Sequence, residues 1–271
     1  MLWTYYHHDY DALFPETHLP AALDPASADA ARFPAKCKPK ASDTAADGPW
    51  EMMAADDRFA VLQVMVNQGK AVATYESRLI SRHAPFDRFV AGEADAISDD
   101  AKEGLRIFIG KAACSDCHNG PFFTDQKFHN LGVPQTGPNV PASDQGRFQD
   151  VAELLKHPLN SASAYSDAPT IGWLDGLEQR DADRGKFRTA TLRSVGKTAP
   201  YMHDGAFATL RDVIDFYNRG GGDTGLFAGD KDVRMAPLLL SDKEIAQIIA
   251  FLETLTGEPV PHALTVNPIN M

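Results

Sequence analysis

Apolar residues recur at helical spacing along four stretches of the chain, and these stretches predict its main helices. The first covers about residues 57–80, where the apolar positions are Phe59, Leu62, Val66, Ala73 and Leu79. The second follows the cap Ser98-Asp99-Asp100 and ends at Gly110; its apolar face holds Ala101, Leu105, Phe108 and Ile109. The third runs from Thr209 to Arg219. The fourth begins at Ser241, which forms a capping box with Glu244, and its apolar face is Ile245, Ile248, Ile249, Leu252 and Leu255.

The remaining segments have weaker patterns. Tyr5, Tyr6, Tyr10, Leu13 and Phe14 indicate one more helix near the start, and residues 20–48 are typical of a long loop. Residues 86–97 are expected to form an extended connector. Residues 119–185 are rich in Gly, Pro, Asn and Asp and predict loops, with a short helix near residues 149–156. Because strand signals are scarce, the predicted fold class is all-α with long loops.

Composition narrows the range of partners. The chain has 271 residues, 44% of them hydrophobic, and a formal net charge of −11. Such a charge argues against nucleic acids and anionic membranes as partners and suits a partner protein with a basic surface. No stretch approaches the ~20 apolar residues of a membrane span.

Cys114-Ser115-Asp116-Cys117-His118 is the motif that carries the chemistry. Two cysteines three positions apart, followed at once by histidine, are typical of the attachment site of a c-type haem. Each thiol adds to one vinyl group of the porphyrin, and His118 then presents an imidazole nitrogen to the iron. A zinc site needs four ligands, and the only other cysteine, Cys37, lies far upstream, where we expect a buried or idle thiol. A thioredoxin-like redox pair is typical of a βαβ setting. A structural disulfide between two cysteines that are separated by only two residues is strained.

A series of phrases resembles the bacterial di-haem cytochrome c peroxidase and MauG family from about residue 57 onward. These phrases are residues 67–76 (NQGKAVATYE), 85–89 (PFDRF), 128–132 (FHNLG), 144–147 (DQGR), 187–193 (FRTATLR) and 199–205 (APYMHDG). In the family, the motif at Cys114–His118 corresponds to the second of two haem sites. The resemblance implies a cytochrome-c-like haem domain over residues 97–271. Residues 1–96 would then be a helical remnant of the first-haem domain that includes the inter-domain helix.

This chain contains one CxxCH motif, where the family has two. The expectation is therefore that the chain is the C-terminal, second-haem portion of a longer enzyme, which also accounts for the absence of a leader. Independent peroxidase activity is not expected of it.

The resemblance also implies a distal iron ligand. In the peroxidases a Met fourteen positions after the histidine of the Tyr-x-His-Asp-Gly phrase binds the second haem, and in MauG-like members a Tyr does so. In this chain that position, counted from His203, is Tyr217, on the same helical face as Leu210, Val213 and Ile214. An anionic phenolate stabilises oxidised iron, whereas a thioether favours the reduced state. Met235 and Met202 remain open as alternative distal ligands, and a buried core tyrosine remains the plain structural alternative.

Further site residues follow from the resemblance. Arg188, Arg193 and His203 are expected in the haem environment, the arginines as partners of the propionates. Thr198 and Pro200 occupy positions whose backbone carbonyls bind calcium in the family. Surface arginines and a core histidine are the competing interpretations. No ligand spacing is evident for six other histidines, namely His7, His8, His83, His129, His157 and His262.

Together these inferences predict a peroxidase-type oxidoreductase that carries electron transfer, or storage of high-valent iron, through a haem c held by His118 and Tyr217. The expected electron donor is a small redox protein, a cytochrome c or a cupredoxin. Hydrogen peroxide or a protein is the expected substrate of the full di-haem enzyme. Because c-type haem is generally attached outside the bacterial cytoplasm, the expected location is the periplasm. The alternative is a stand-alone mono-haem electron carrier with a Met distal ligand.

Overall fold

The computed structural model describes residues 2–34, 37–40, 44–135, 140–141 and 144–266. Within them the chain is mostly helical, with a single two-stranded sheet, as the sequence predicts for the fold class. No helix in this part of the chain is both long enough and apolar enough to cross a membrane. The chain divides into two compact units, Met1–Arg78 with Ser161–Ile171 and Leu79–Asn160 with Gly172–Met271.

The first unit contains helices α1 (Leu2–Leu13), α2 (Pro49–Met52) and α3 (Ala55–Glu76). The buried Asn67 of α3 donates hydrogen bonds from Nδ2 to the Tyr10 hydroxyl (2.8 Å) and to Thr17 Oγ1 (2.7 Å), which fixes α3 against the end of α1. The predicted loop over residues 20–48 is irregular in its described part except for two 3-10 turns, Ala21–Leu23 and Ala30–Arg32.

The core of the second unit lies between α5 (Asp99–Ile109), α7 (Leu210–Asn218) and α8 (Asp242–Glu253). The predicted caps Ser98 and Ser241 are present, and Thr209 is a cap as well, since each accepts a hydrogen bond from the first turn of its helix. The largest buried side chains are aromatic and aliphatic residues of α7 and α8, together with the second residue after α8: Phe216, Ile248, Phe251 and Leu255.

The backbones of α5 and α8 approach each other at Gly104. A Cβ atom added there would lie 1.9 Å from the carbonyl oxygen of Gln247, so no larger residue fits without moving a helix. Ile107 and Phe108 of α5 are buried, but Ile109 is 59% exposed, so its predicted place on the apolar face is wrong. Ile109 is the last residue of the helix, and one step beyond Phe108 rotates its side chain away from α8.

The predicted extended connector over residues 86–97 is also wrong, because α4 (Pro85–Val90) occupies its first part. Pro85 is placed at the start of the helix, where its missing N–H costs nothing. Asp87 accepts a hydrogen bond from the Ala84 N–H (3.0 Å) and so caps the helix. Phe86 packs edge-on against Phe123 and Phe251, which couples α4 to the core.

The boundary between the compact units falls after Arg78, whereas the sequence suggests a domain boundary between residues 96 and 97. The packing of Phe86 and a hydrogen bond from the Phe86 N–H to the Thr254 carbonyl (3.2 Å) attach α4 to the second unit. That unit is completed by α6 (Arg147–Lys156), near the predicted residues 149–156. Its sheet pairs β1 (Phe128–His129) with β2 (Phe187–Arg188) in antiparallel register.

Candidate functional site

A cavity of about 500 Å³ lies within the second unit, and the CxxCH motif forms one of its walls. The motif follows α5 directly. After Gly110 the chain turns at Ala113, which has a left-handed backbone (φ 49°), and enters a 3-10 turn over Cys114–Asp116. The His118 N–H donates to the Cys114 carbonyl (2.9 Å). One turn of helix-like chain therefore places Cys114, Cys117 and His118 at the same cavity, as their spacing predicts.

The imidazole of His118 is oriented by a backbone carbonyl. Its Nδ1 lies 2.9 Å from the Phe123 oxygen, so Nδ1 carries the proton and donates it there. The other nitrogen, Nε2, is then the one left for a metal, the usual arrangement of a ligating histidine. Burial lowers the pKa of His118, which favours the neutral ring that binds metal.

Cys114 and Cys117 are free and half-buried, so they are not joined to each other by a disulfide. Burial raises the pKa of the Cys114 thiol to about 12, and burial also raises the pKa of Cys117, against an opposing effect of Arg234. Both are therefore neutral thiols at pH 7, in contrast to the low-pKa thiolate of a reactive redox pair.

Tyr217 reaches the same cavity from α7. Leu210 and Ile214 on its face are buried, and Val213 lines the cavity beside it, which confirms that this face points inward. The phenol is half-buried, and its hydroxyl makes no hydrogen bond to any described residue. Burial raises the pKa of Tyr217, with smaller contributions from the nearby Cys114 and Cys117 sulfurs. The phenolate therefore forms only if a cation compensates it.

Met235 and Met202, the two alternative distal ligands, also line the cavity. Met235 follows a turn in which its N–H donates to the Asp232 carbonyl (2.9 Å), and its methyl group lies close to Gly221. Met202 has a left-handed backbone (φ 70°) and precedes His203. Three candidate ligands for the distal side of one metal thus come from different elements, and of the three Tyr217 alone comes from a helix.

The two arginines expected at the propionates lie in different places. Arg188 lines the cavity and donates to Gln126 Oε1 (3.0 Å). Arg193 does not line it. Its guanidinium instead donates to Asp87 Oδ1 (2.7 Å) and to the Pro121 carbonyl (2.8 Å), which joins α4 to the loop after the haem motif. The role of Arg193 in this structure is thus to hold these segments together.

His203, Thr198 and Pro200 all line the cavity. The His203 ring stacks on Phe187 with centroids 3.5 Å apart, and burial lowers its pKa. Asp204, in the same phrase, has a carboxylate oxygen that is buried and lacks a hydrogen-bond partner among the described residues. A hard, unpartnered oxygen of this kind suits calcium, which stays a prediction for Thr198 and Pro200.

A cluster of four charged or polar side chains beside the cavity was not predicted from the sequence: Asp125, His129, Asp232 and Arg234. The His129 ring lies between Asp125 and Asp232, and the three side chains are 11%, 9% and 17% exposed, respectively. Burial acts to raise the pKa of Asp125, but hydrogen bonds, from His129 above all, outweigh it and lower that pKa to about 2. The ligand atoms of Cys117, Asp125 and His129 lie within 4.8 Å of one another, a group able to hold a metal if Cys117 carried no porphyrin. The four-residue spacing from Asp125 to His129 was the available sequence signal.

The cavity and its donors fit a covalently attached haem. Apolar side chains such as Phe108, Leu192, Leu210 and Ile248 line it, which suits a flat macrocycle, and its volume is that of a typical cofactor site. Two thiols would supply the attachment points for such a haem, and an imidazole with a free Nε2 and an unpartnered phenol would be available as iron ligands. The donor set and the apolar walls together match a c-type haem better than a structural zinc site, which closes on four ligands.

Comparisons with known proteins agree with this chemistry. No family model matches the sequence. Cytochrome-c peroxidase IdrP2 of Denitromonas iodatirespirans is 40% identical over 190 residues, which cover 70% of this chain and 48% of that protein. Methylamine utilization protein MauG of Methylorubrum extorquens is 33% identical over 198 residues, or 73% of this chain and 46% of that protein. The chain thus spans about half the length of these relatives.

Among solved structures, a crystal structure of a MauG-like protein associated with microbial copper homeostasis aligns at 29% identity and a TM-score of 0.45. The alignment covers 69% of this chain and 50% of that one. The sequence relatives carry the assignment: the chain belongs to the bacterial di-haem cytochrome c peroxidase and MauG family.

Proposed function

We propose that this chain is the second-haem portion of a di-haem peroxidase-like or MauG-like oxidoreductase. One haem c is attached to Cys114 and Cys117, and its iron is bound by His118 and Tyr217. The observation that carries the proposal is the pairing of His118 and Tyr217 at one cavity. His118 uses Nδ1 on the Phe123 carbonyl and keeps Nε2 free, and Tyr217 presents a phenol with no hydrogen-bond partner among the described residues.

When bound, the haem supplies one-electron redox chemistry. The protein groups decide how that chemistry is used. If His118 and Tyr217 both ligated the iron, this site would exchange electrons or store oxidising equivalents, and peroxide or a protein substrate would be left to the other half of the enzyme. The Tyr217 oxygen is anionic when it binds and stabilises the oxidised state of the iron. The apolar wall keeps water from the ring and strengthens this effect.

Partners and location follow from the same proposal. A small redox protein, a cytochrome c or a cupredoxin, is the proposed electron donor, and a basic one suits the net charge of −11. The periplasm is the proposed location, because thioether attachment of haem generally takes place there. Calcium at the Thr198 and Pro200 carbonyls remains part of the proposal.

Replacing Tyr217 by Phe tests the ligand set. The haem-loaded Tyr217→Phe variant should lose the phenolate charge-transfer absorption and should have a higher midpoint potential. Tyr201→Phe is the matched control. Tyr201 lines the same cavity, but its hydroxyl already donates to the Val195 carbonyl (3.1 Å), so its loss should leave the spectrum unchanged. An unchanged six-coordinate spectrum in Tyr217→Phe would remove Tyr217 from the site.

The stand-alone electron carrier is the second candidate, and the position of Met235 at the cavity favours it. If Met235 is the native ligand, Met235→Leu should abolish the low-spin spectrum while Tyr217→Phe leaves it intact. Reversible one-electron cycling without any peroxide reactivity, measured on the longest natural form of the protein, would support this candidate over the enzyme.

A further inference from the structure

His129 connects two segments that approach the cavity from different parts of the chain. It is the second residue of β1, it lines the cavity, and its side chain is 11% exposed. Its partner in β2 is Phe187, whose ring stacks against the His203 ring. The position of His129 is therefore fixed by the sheet, and both ring nitrogens are engaged.

The Nε2 side of His129 faces the haem-attachment segment. Nε2 lies 2.9 Å from Asp125 Oδ2, and the Asp125 N–H donates to the Cys117 carbonyl (2.8 Å). His129 thus donates its N–H to a carboxylate whose own backbone holds the second attachment cysteine.

The Nδ1 side of His129 faces the loop that carries Met235. Arg234 Nη2 donates to Nδ1 (2.7 Å) and to Asp232 Oδ2 (2.6 Å), and Arg234 Nε donates to Asp232 Oδ1 (2.9 Å). Nδ1 also lies 3.1 Å from Asp232 Oδ2, so Arg234 and Asp232 together contact this side of the ring.

Met235 follows Arg234 directly and so adjoins these contacts, whereas Tyr217 is held elsewhere by a helix. Tyr217 lies on α7, whose capping box at Thr209 and buried Ile214 and Phe216 fix it. Residues 229–236 contain neither helix nor strand. The Asp232 N–H donates to the Asn130 carbonyl (2.8 Å), so the loop keeps a main-chain anchor without His129. What His129 adds is the fixation of Arg234, the residue next to Met235.

We infer that His129 is a positioning residue that bridges the haem-attachment segment to the Met235 loop and so keeps Met235 from replacing Tyr217 on the iron. The inference rests on the proposed His118/Tyr217 ligation. Without His129, Met235 Sδ would be free to take the iron-ligand role proposed for Tyr217, whose released oxygen would take a proton from solvent. No electron would move in such an exchange, but the potential would rise because a thioether favours reduced iron.

Three haem-loaded variants test the bridge: His129→Leu, His129→Gln and, as a surface control, His157→Leu. Leucine keeps the volume and loses both hydrogen bonds, whereas the glutamine amide keeps one donor and one acceptor. We expect a spectrum typical of methionine ligation in His129→Leu. Its equilibrium between oxidised and reduced haem should favour the reduced state at least tenfold more than in the parent, which is equivalent to a rise of about 59 mV in the midpoint potential of a one-electron couple. His129→Gln should show a smaller change, and His157→Leu should match the parent. The double variant His129→Leu/Met235→Leu should return to the phenolate spectrum.

Other outcomes overturn the inference. If His129→Leu keeps the parent spectrum and potential, or if the double variant fails to revert, His129 does not control Met235. If His129→Leu takes up no haem, Arg234→Gln gives the decision, because it breaks only the loop side of the bridge. Failure of the proposed function has a different signature: Tyr217→Phe alone then leaves the parent spectrum unchanged, whatever His129 does.

Discussion

His118 and Phe123 are joined by a hydrogen bond of 2.9 Å from the imidazole Nδ1 to the backbone oxygen. This contact leaves Nε2 available for a metal, in keeping with the proposal that His118 is an iron ligand. Because the thioethers hold the porphyrin independently, His118→Ala should still carry covalent haem. Its Soret band should shift to the wavelength of a high-spin haem, and added imidazole should restore the parent spectrum. A His118→Ala spectrum identical to the parent would contradict the assignment.

Because α5 and α8 approach each other closely at Gly104, even a small side chain at this position should destabilise the second unit. Gly104→Ala forces a methyl group against the Gln247 carbonyl, and we expect a cost of about 1–3 kcal/mol in the free energy of unfolding of the second unit. Gly69→Ala is the control, because Gly69 lies inside α3 and a methyl group there would have nothing within 4 Å. The control should gain up to about 1 kcal/mol from helix propensity. Urea unfolding followed by circular dichroism gives both values.

The interactions of Glu244 predict that the second unit loses stability at acidic pH. Glu244 accepts two hydrogen bonds from Lys111 Nζ (2.8 and 2.9 Å) and one from the Ser241 N–H, and these lower its pKa to about 2, with the Lys111 bond the largest cause. The stabilisation is present above the ordinary pKa of a glutamate, near 4.5, and is lost as the pH falls from there towards 2. The Glu244→Gln variant should therefore lose less stability than the parent over this pH range. Thermal unfolding of both proteins at several pH values measures the difference. Parallel curves for the two proteins would show that Glu244 contributes nothing.

Arg188 and Arg193 should respond differently to replacement. Arg193→Met breaks the ion pair with Asp87 and should cost about 1 kcal/mol of stability while the haem potential stays constant. Arg188→Met should leave stability nearly unchanged and shift the potential, because Arg188 lines the cavity and Arg193 does not. Denaturant unfolding and redox titration of both variants provide the comparison. A potential shift in Arg193→Met alone would reverse the two roles.

The periodic helices and the CxxCH site follow from local sequence, because caps and apolar spacing act within a few residues. Ser98 and Ser241 cap their helices as predicted, and Tyr217 lies on the predicted inward face. Helix α4 is not predicted because its stability comes from Phe86 packing on Phe123 and Phe251, distant in sequence. The His129 bridge escapes prediction for the same reason, since Asp232 and Arg234 lie 103 and 105 residues from His129.

Intact-mass analysis of the protein matured in a periplasm with haem-ligation machinery tests the central claim most directly. We predict that the parent chain gains the mass of one haem, that the single variants Cys114→Ser and Cys117→Ser retain it through one thioether, and that the double variant gains none under denaturing conditions. A parent protein whose mass equals that of the bare polypeptide would contradict covalent haem attachment at Cys114 and Cys117.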